Sequence, residues 1–209
     1  AKLGTTYIQK DFMWRRTPIN IFYVDSDPVV AAQSLVDKHV VKMILEWAQL
    51  LSTAHRILDG IEFIEQRYVE GSFPTRYRKV KRWKLYDERA NHVYQATHVN
   101  HPSAVWCRQS VENYNWLVER MYGLMEEYKF RYNKTHKCMG VAYYLQSPPK
   151  NLQEYNNTIM PSAMAEEYII SADPLTNYRN YYKLGKTNLH KWTNRQPPEW
   201  INKWKQILN

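Results

Sequence analysis

The chain reads as an all-α fold: a mainly helical single domain with long ordered loops and at most a short strand near residues 19–24. Three observations predict it. Apolar residues recur at steps of three and four through two long segments, 35–58 and 102–132. Asp27-Pro28, His101-Pro102 and Asp173-Pro174 punctuate the chain with a polar residue before proline, which suits the first position of a helix. Glycine is scarce, with 6 in 209 residues, and neither a glycine-rich phosphate loop nor an internal repeat is present.

Residues 1–18 carry Lys2, Lys10, Arg15 and Arg16 among three aromatics and form a basic N-terminal arm. INIFYV (19–24) is short and apolar, suited to one strand or a buried extended lead-in. Asp27 then caps a short helix that meets LVDKHVVKMILEWAQLLSTAHR (35–56), which runs to about Leu58 and stops near Asp59-Gly60. IEFIEQRYVEGSFPTRY (61–77) mixes Gly and Pro with apolar residues and reads as a loop with partial structure.

A second long helix starts at NHPSAVW (100–106) and continues to about Tyr132, with Val111, Tyr114, Val118, Met121, Met125 and Tyr128 as its apolar stripe. Residues 139–157 read as irregular around Pro148-Pro149. MPSAMAEEYIIS (160–171) reads as helical. ADPLTNYRNYYKLGK (172–186) is a helix capped by Asp173 and stopped by Gly185. The helical domain spans 19–195, and 196–209 makes a C-terminal helix behind Pro197-Pro198.

With 44% hydrophobic residues the chain can bury a real core, which excludes wholesale disorder. Its 29 Lys+Arg against 20 Asp+Glu leave a net charge of +9, favouring an anionic partner, nucleic acid first. The rings point the same way: 17 Tyr and 8 Trp against 5 Phe suit half-wet grooves where a face stacks on a base. Cations and aromatics interleave most densely at 76–89 and 177–195, which puts Arg76, Arg78, Lys81 and Arg179 forward as nucleic-acid contacts. A solvated face with snorkelling cations accounts for the same stretches.

Cys107 and Cys138 are separated by 30 residues with no metal-type spacing, so neither a disulfide scaffold nor a zinc site is expected. No apolar run reaches membrane-span length and the N-terminus has no signal-peptide core. These features suggest a cytoplasmic protein, that of a bacterial host if the gene is a phage's.

The 35–58 helix carries the sharpest question. At 100° per residue, Val40, Met43, Ile44, Trp47, Leu50, Leu51, Ala54 and Leu58 face a core. Lys38, Lys42, Glu46, Gln49, Thr53 and Arg56 form the opposite stripe, with His39 at its edge. His55 projects into the apolar arc, as a buried, hydrogen-bonded core histidine would.

The stripe is either the wet side of a core helix, with Lys42 and Glu46 as a surface pair worth about 0.2–0.5 kcal/mol, or a reactive row. A carboxylate beside an amine and an imidazole can move protons or support amine attack. Beside Glu46, Lys42 is a poor nucleophile unless burial overrides the pairing, so Glu46 is the stronger catalytic candidate. His39 and Glu46 lie two turns apart with no matching second pair, so no metal is expected, and no organic cofactor is implied. In NHPSAVW, His101 stands at a helix mouth whose free N–H groups can receive a phosphate, or it is a plain cap. Trp106 and Tyr114 are candidates to stack on a base.

TPINIFYV, LVDKHVVKMILEWAQLL, NHPSAVW opening a long helix, MPSAMAEEYI and the tyrosine-rich tail, in order over roughly residues 17–195, resemble the pyrimidine-dimer DNA glycosylases of T-even phages and their phage and bacterial relatives. That family is compact and mainly helical. It flips a nucleotide from the duplex, attacks the sugar C1′ with its N-terminal amine and uses a helix glutamate in catalysis.

The resemblance implies that Glu46 matches this glutamate, His39 the histidine seven residues before it, and His101 the histidine opening the next long helix. Two features do not carry over. Leu45 and Gln49 stand where the family has arginines, and Thr17, near the family's N-terminal threonine, is preceded by sixteen residues and has no free amine unless the chain is processed.

The expected function is a DNA-binding enzyme acting on a damaged or modified pyrimidine, by N-glycosidic cleavage after nucleotide flipping. Glu46 would be its acid/base and Lys42 an electrostatic group or amine. His39, Gln49, His101, Trp106, Arg76, Arg78, Lys81 and Arg179 would contact double-stranded DNA. The alternatives are a transferase in thymine hypermodification and a non-catalytic nucleic-acid-binding or structural protein.

Overall fold

A computed structural model describes residues 19–71 and 73–208; the basic arm and Thr17 lie outside these described residues. Seven α-helices and one two-stranded sheet are present among them. In chain order they are α1 (Pro28–Gln33), α2 (Asp37–Asp59), β1 (Ile61–Tyr68), β2 (Tyr77–Lys84), α3 (Pro102–Cys107), α4 (Val111–Tyr132), α5 (Met139–Leu145), α6 (Pro174–Gly185) and α7 (Glu199–Leu208). The fold is mainly helical, as predicted.

The core lies between α2 and α4. Met43, Ile44, Trp47, Leu50 and Leu51 of α2 meet Tyr114, Leu117, Met121 and Leu124 of α4, all at most 1% exposed, so both periodicities were read on the correct face. The α1 helix crosses α4 closely: a Cβ at Gly123 would lie 3.5 Å from Ala32 Cβ. Asp27 caps α1, accepting from Val29 and Val30 N–H at 2.8 and 2.9 Å. Asp27→Ala is expected to lower unfolding stability by about 1 kcal/mol in urea titration, the ordinary worth of such a cap; no change would mean that packing alone holds α1.

The expected strand at 19–24 is not formed. Ile19, Ile21, Phe22 and Val24 are buried in the core without regular structure, and side chains pair with their backbone. The Asn20 N–H donates to Glu46, the Asn20 carbonyl accepts from Trp47 Nε1, and the Phe22 carbonyl accepts from Arg120. With these groups paired, no neighbouring strand is required.

Strand structure appears instead at 61–84, where residues 61–77 were expected as a loop with partial structure. β1 and β2 pair antiparallel from Ile61↔Lys84 to Tyr68↔Tyr77. Both faces are largely exposed, so no alternating apolar pattern betrayed them. At the hairpin's base Gly60 ends α2, where a Cβ would collide with the Arg56 carbonyl and lie 3.1 Å from Trp83 Cβ.

Three further expectations are corrected. The long helix from Pro102 breaks after Cys107, because Ser110 caps a new helix by accepting from Asn113 N–H at 3.1 Å. Met139–Leu145, expected irregular, is α5. Residues 160–171 form only a 3-10 turn at Glu166–Tyr168, since α6 claims their backbone: Asn177 Oδ1 accepts from Ile170 and Ser171 N–H, and Tyr178 Oη accepts from Ala163 N–H. The α6 and α7 helices lie where predicted.

A buried ionic cluster ties the termini of the core helices. Arg131 donates to Glu127 at 2.7 Å and to Asp37 at 3.0 Å, and Arg195 reaches Glu127 at 2.6 Å. No helix among the described residues is long and apolar enough to cross a membrane.

Candidate active site on helix α2

The polar stripe of α2 is not its wet side. Lys38 and Lys42 are exposed, but His39, Glu46, Thr53 and Arg56 are buried. The stripe divides. Toward its C-terminal end it is a docking strip for the connection after β2: Thr53 donates to the Thr97 carbonyl at 3.1 Å, and Arg56 donates to the carbonyls of Ala90, Val93 and Tyr94. Gln49 sits at intermediate burial, its carbonyl accepting from Thr53. Toward the N-terminal end, Lys42, Glu46 and His39 remain as a distinct group.

Glu46 is 5% exposed. Its Oε2 accepts the Asn20 N–H at 3.2 Å, while Oε1 has Lys42 Nζ 3.1 Å away but no well-aligned donor. Burial raises its proton affinity above that of an ordinary carboxyl; Lys42, the Asn20 N–H and Lys186 pull the other way without cancelling the shift. The Lys42 side chain is 52% exposed, so the burial a nucleophilic Lys42 requires is not met.

His39 is held neutral. Burial, then Lys186, Lys42 and Arg120, push its pKa down to about 3. The hydrogen bonds are compatible with this: Tyr182 Oη accepts the Val36 N–H and lies 2.8 Å from His39 Nδ1, where a neutral ring can accept the hydroxyl proton. The imidazole stacks on Phe22 at 4.3 Å, and Phe22 takes a left-handed backbone angle of 51° to reach it. Lys186, at the end of α6, lies 5.8 Å from the Phe22 ring centre and 4.9 Å from that of Tyr181.

Sequence reasoning missed Asn20, Phe22, Tyr182, Lys186 and Arg120 as parts of this site. Tyr182 and Lys186 stand four apart in the tyrosine-rich tail, one helical turn, but only tertiary packing carries that turn to α2. Arg120 is fully buried between Trp47 and Trp116, 4.6 and 5.3 Å from their rings, and burial lowers its pKa to about 9. It sat among apolar stripe residues and gave no sequence signal.

Other expected contacts are placed elsewhere. His101 is a cap, its Nδ1 accepting from Ser103 N–H at 3.1 Å, and α3 is a six-residue helix, not the long one whose mouth was to receive a phosphate. Trp106 is 5% exposed, donates to the Thr158 carbonyl and backs a cavity of about 320 Å³ with Tyr23, Trp116 and Met160. Tyr114 is wholly buried and hydrogen-bonded to His55 and the Leu145 carbonyl, so it offers no face to a base. Arg179 is engaged with Asp25 and the Val24 carbonyl. Arg76, Arg78 and Lys81 are exposed on the hairpin, Lys81 paired with Glu62 at 2.9 Å.

His55 is the buried core histidine that its position suggested, 2% exposed. Among the described residues no three His, Cys, Asp or Glu side chains gather as a metal site would require.

No family model matches the chain, and comparison with curated proteins and with solved structures finds no significant match.

Proposed function

We propose that this protein is a DNA-binding enzyme that releases a damaged or modified pyrimidine by cleaving its N-glycosidic bond, with Glu46 as the catalytic carboxylate. The buried state of Glu46, with one oxygen oriented by Asn20 and the other turned to the half-exposed Lys42, carries the reading. The likeness to the phage pyrimidine-dimer glycosylases and the net charge of +9 add to it.

The chemistry follows from the groups present. An ionised Glu46 takes a proton from water, whose oxygen bonds to the sugar C1′ as the bond from C1′ to the pyrimidine nitrogen breaks. The departing base receives the proton, so one water is consumed and the base leaves neutral. A raised proton affinity brings a carboxylate closer to the range where general-base transfer near neutral pH is effective. Lys42 and Lys186 supply positive charge for the phosphates flanking an extruded nucleotide, whose unstacking costs a few kcal/mol. His39, neutral and stacked on Phe22, orients the wall rather than transferring protons.

The test is base release, read as formation of an abasic site because a cleaved dimer base stays tethered to its neighbour, in duplexes carrying pyrimidine dimers, oxidised pyrimidines or hypermodified thymines, with and without borohydride. Release without a trapped adduct is expected. A trapped adduct mapped to a lysine or to a processed N-terminus would replace water by an amine nucleophile. No release from any duplex would reject cleavage, and would favour a transferase in thymine hypermodification or a binding protein in which Lys42 and Glu46 are only an ion pair.

A further inference from the structure

The β1–β2 hairpin, whose Arg78 and Lys81 the sequence put forward as DNA contacts, takes no part in the Glu46 chemistry. An isolated two-stranded ribbon is marginal in water, yet this one keeps eight residue pairs with both faces largely uncovered. Its strands carry Arg67, Arg78, Lys79, Lys81, Arg82 and Lys84 against only Glu62 and Glu65. Both carboxylates are already engaged: Glu62 with Lys81 at 2.9 Å, and Glu65 with Arg67 and Arg82 at 2.7 and 3.0 Å.

Arg78 and Lys79 have no carboxylate partner among the described residues. Arg78 also stands directly across from Arg67, a like-charge pair that weakens a ribbon unless an anion lies between. Adjacent residues of a strand point to opposite faces, so Arg78 and Lys79 present positive charge on both sides. At the tip, Phe73 is 98% exposed.

We propose that this hairpin is an arm that enters a groove of double-stranded DNA, with Arg78 and Lys79 meeting the phosphate walls on either side and Phe73 in apolar contact with base edges at the tip. A major groove about 12 Å wide admits a two-stranded ribbon and has an anionic wall on each side. A lipid surface or one acidic protein face would meet cations on a single side. The inference rests on DNA being the partner of the Glu46 site, but it concerns binding and not bond cleavage.

The test uses the 209-residue chain and an undamaged 30-base-pair duplex, with affinity measured across salt concentration. Arg78→Gln/Lys79→Gln is expected to flatten the slope of log affinity against log salt by about 2 and to weaken binding roughly 50-fold at 0.1 M salt, the counterion-release value for two lost phosphate contacts. Lys134→Gln/Lys137→Gln, with the same charge lost from the exposed turn after α4, is expected to keep the wild-type slope. Phe73→Ala should weaken binding about tenfold at unchanged slope, since apolar burial releases no counterions.

A wild-type slope in the Arg78/Lys79 variant would overturn the proposal. If that variant also aggregates, the cations serve to keep exposed strand edges apart. Loss of binding to phosphatidylserine vesicles with duplex binding intact would overturn it in favour of a membrane. Failure here with base release intact leaves the Glu46 reading standing; normal slopes with no base release from any lesion would reject that reading alone.

Discussion

Glu46→Gln is expected to lower the rate of base release by about 10²–10⁴-fold, the usual worth of a positioned acid/base group, while duplex affinity stays within about twofold. The amide has the shape of the carboxylate. Its oxygen keeps the Asn20 N–H, so the wall formed by residues 19–24 is held as before. What disappears is the capacity to take a proton, and with it the activated water.

Stability is the discriminating second readout. The buried Oε1 has no aligned donor, and ionised Glu46 carries a desolvation cost that a neutral amide avoids. The variant should therefore melt at or slightly above the wild-type temperature. If Glu46 were only the inner half of an ion pair with Lys42, glutamine would leave turnover nearly intact and lower the melting temperature. Lys42→Met separates the roles further: about a tenfold loss is expected if the ammonium acts only through its field, whereas total loss with disappearance of a borohydride adduct would make Lys42 the nucleophile.

Moving from pH 7 to pH 5 should remove at least about 4 kcal/mol of unfolding stability, about 2 from each of the buried His39 and His55, and His101, also pushed down to about 4, adds to the loss. His39 is pushed down to about 3 and His55 to about 4, both chiefly by burial, from an ordinary value of 6.5. The hydrogen bonds of His55 demand the neutral ring as well. Arg89 can only donate, so His55 Nδ1 accepts at 2.7 Å and Nε2–H donates to Tyr114, whose own proton goes to the Leu145 carbonyl.

The sign follows from proton counting. Below about 6.5 the unfolded chain binds protons at these sites that the folded chain refuses. Stability is complete above that value and falls as pH drops toward 4 for His55 and 3 for His39. Asp37 and Asp59, held low by their hydrogen bonds, add acid sensitivity only below their ordinary carboxylate range. Glu46 opposes the trend, because its raised proton affinity favours the folded state as it protonates. Urea midpoints at pH 7 and pH 5 measure the loss, and in His39→Gln about 2 kcal/mol of it should vanish. An unchanged midpoint would mean that both rings take up protons in the folded chain.

Local chemistry was sufficient for α1, α6 and α7, whose caps and prolines act within one turn of their own residues. It also sufficed for the core faces of α2 and α4, because burial of a 3.6-residue stripe repeats along the chain. Local reading failed where bonding partners come from afar. Residues 19–24 need no strand neighbour because Glu46, Trp47 and Arg120 pair with their backbone. Residues 160–171 lose their helix to Asn177 and Tyr178, and the exposed ribbon at 61–84 has no buried face to leave a pattern.

The same division runs through the site. By itself the sequence determined that Lys42 and Glu46 share a helix turn, because four residues always bring side chains together on an α-helix. Only the tertiary structure decided that Glu46 is buried, that His39 is neutral, and that Lys186 arrives from more than a hundred residues away. Proton affinity depends on solvent and charge in three dimensions, and the packing of α2 against residues 19–24 and α6 sets both.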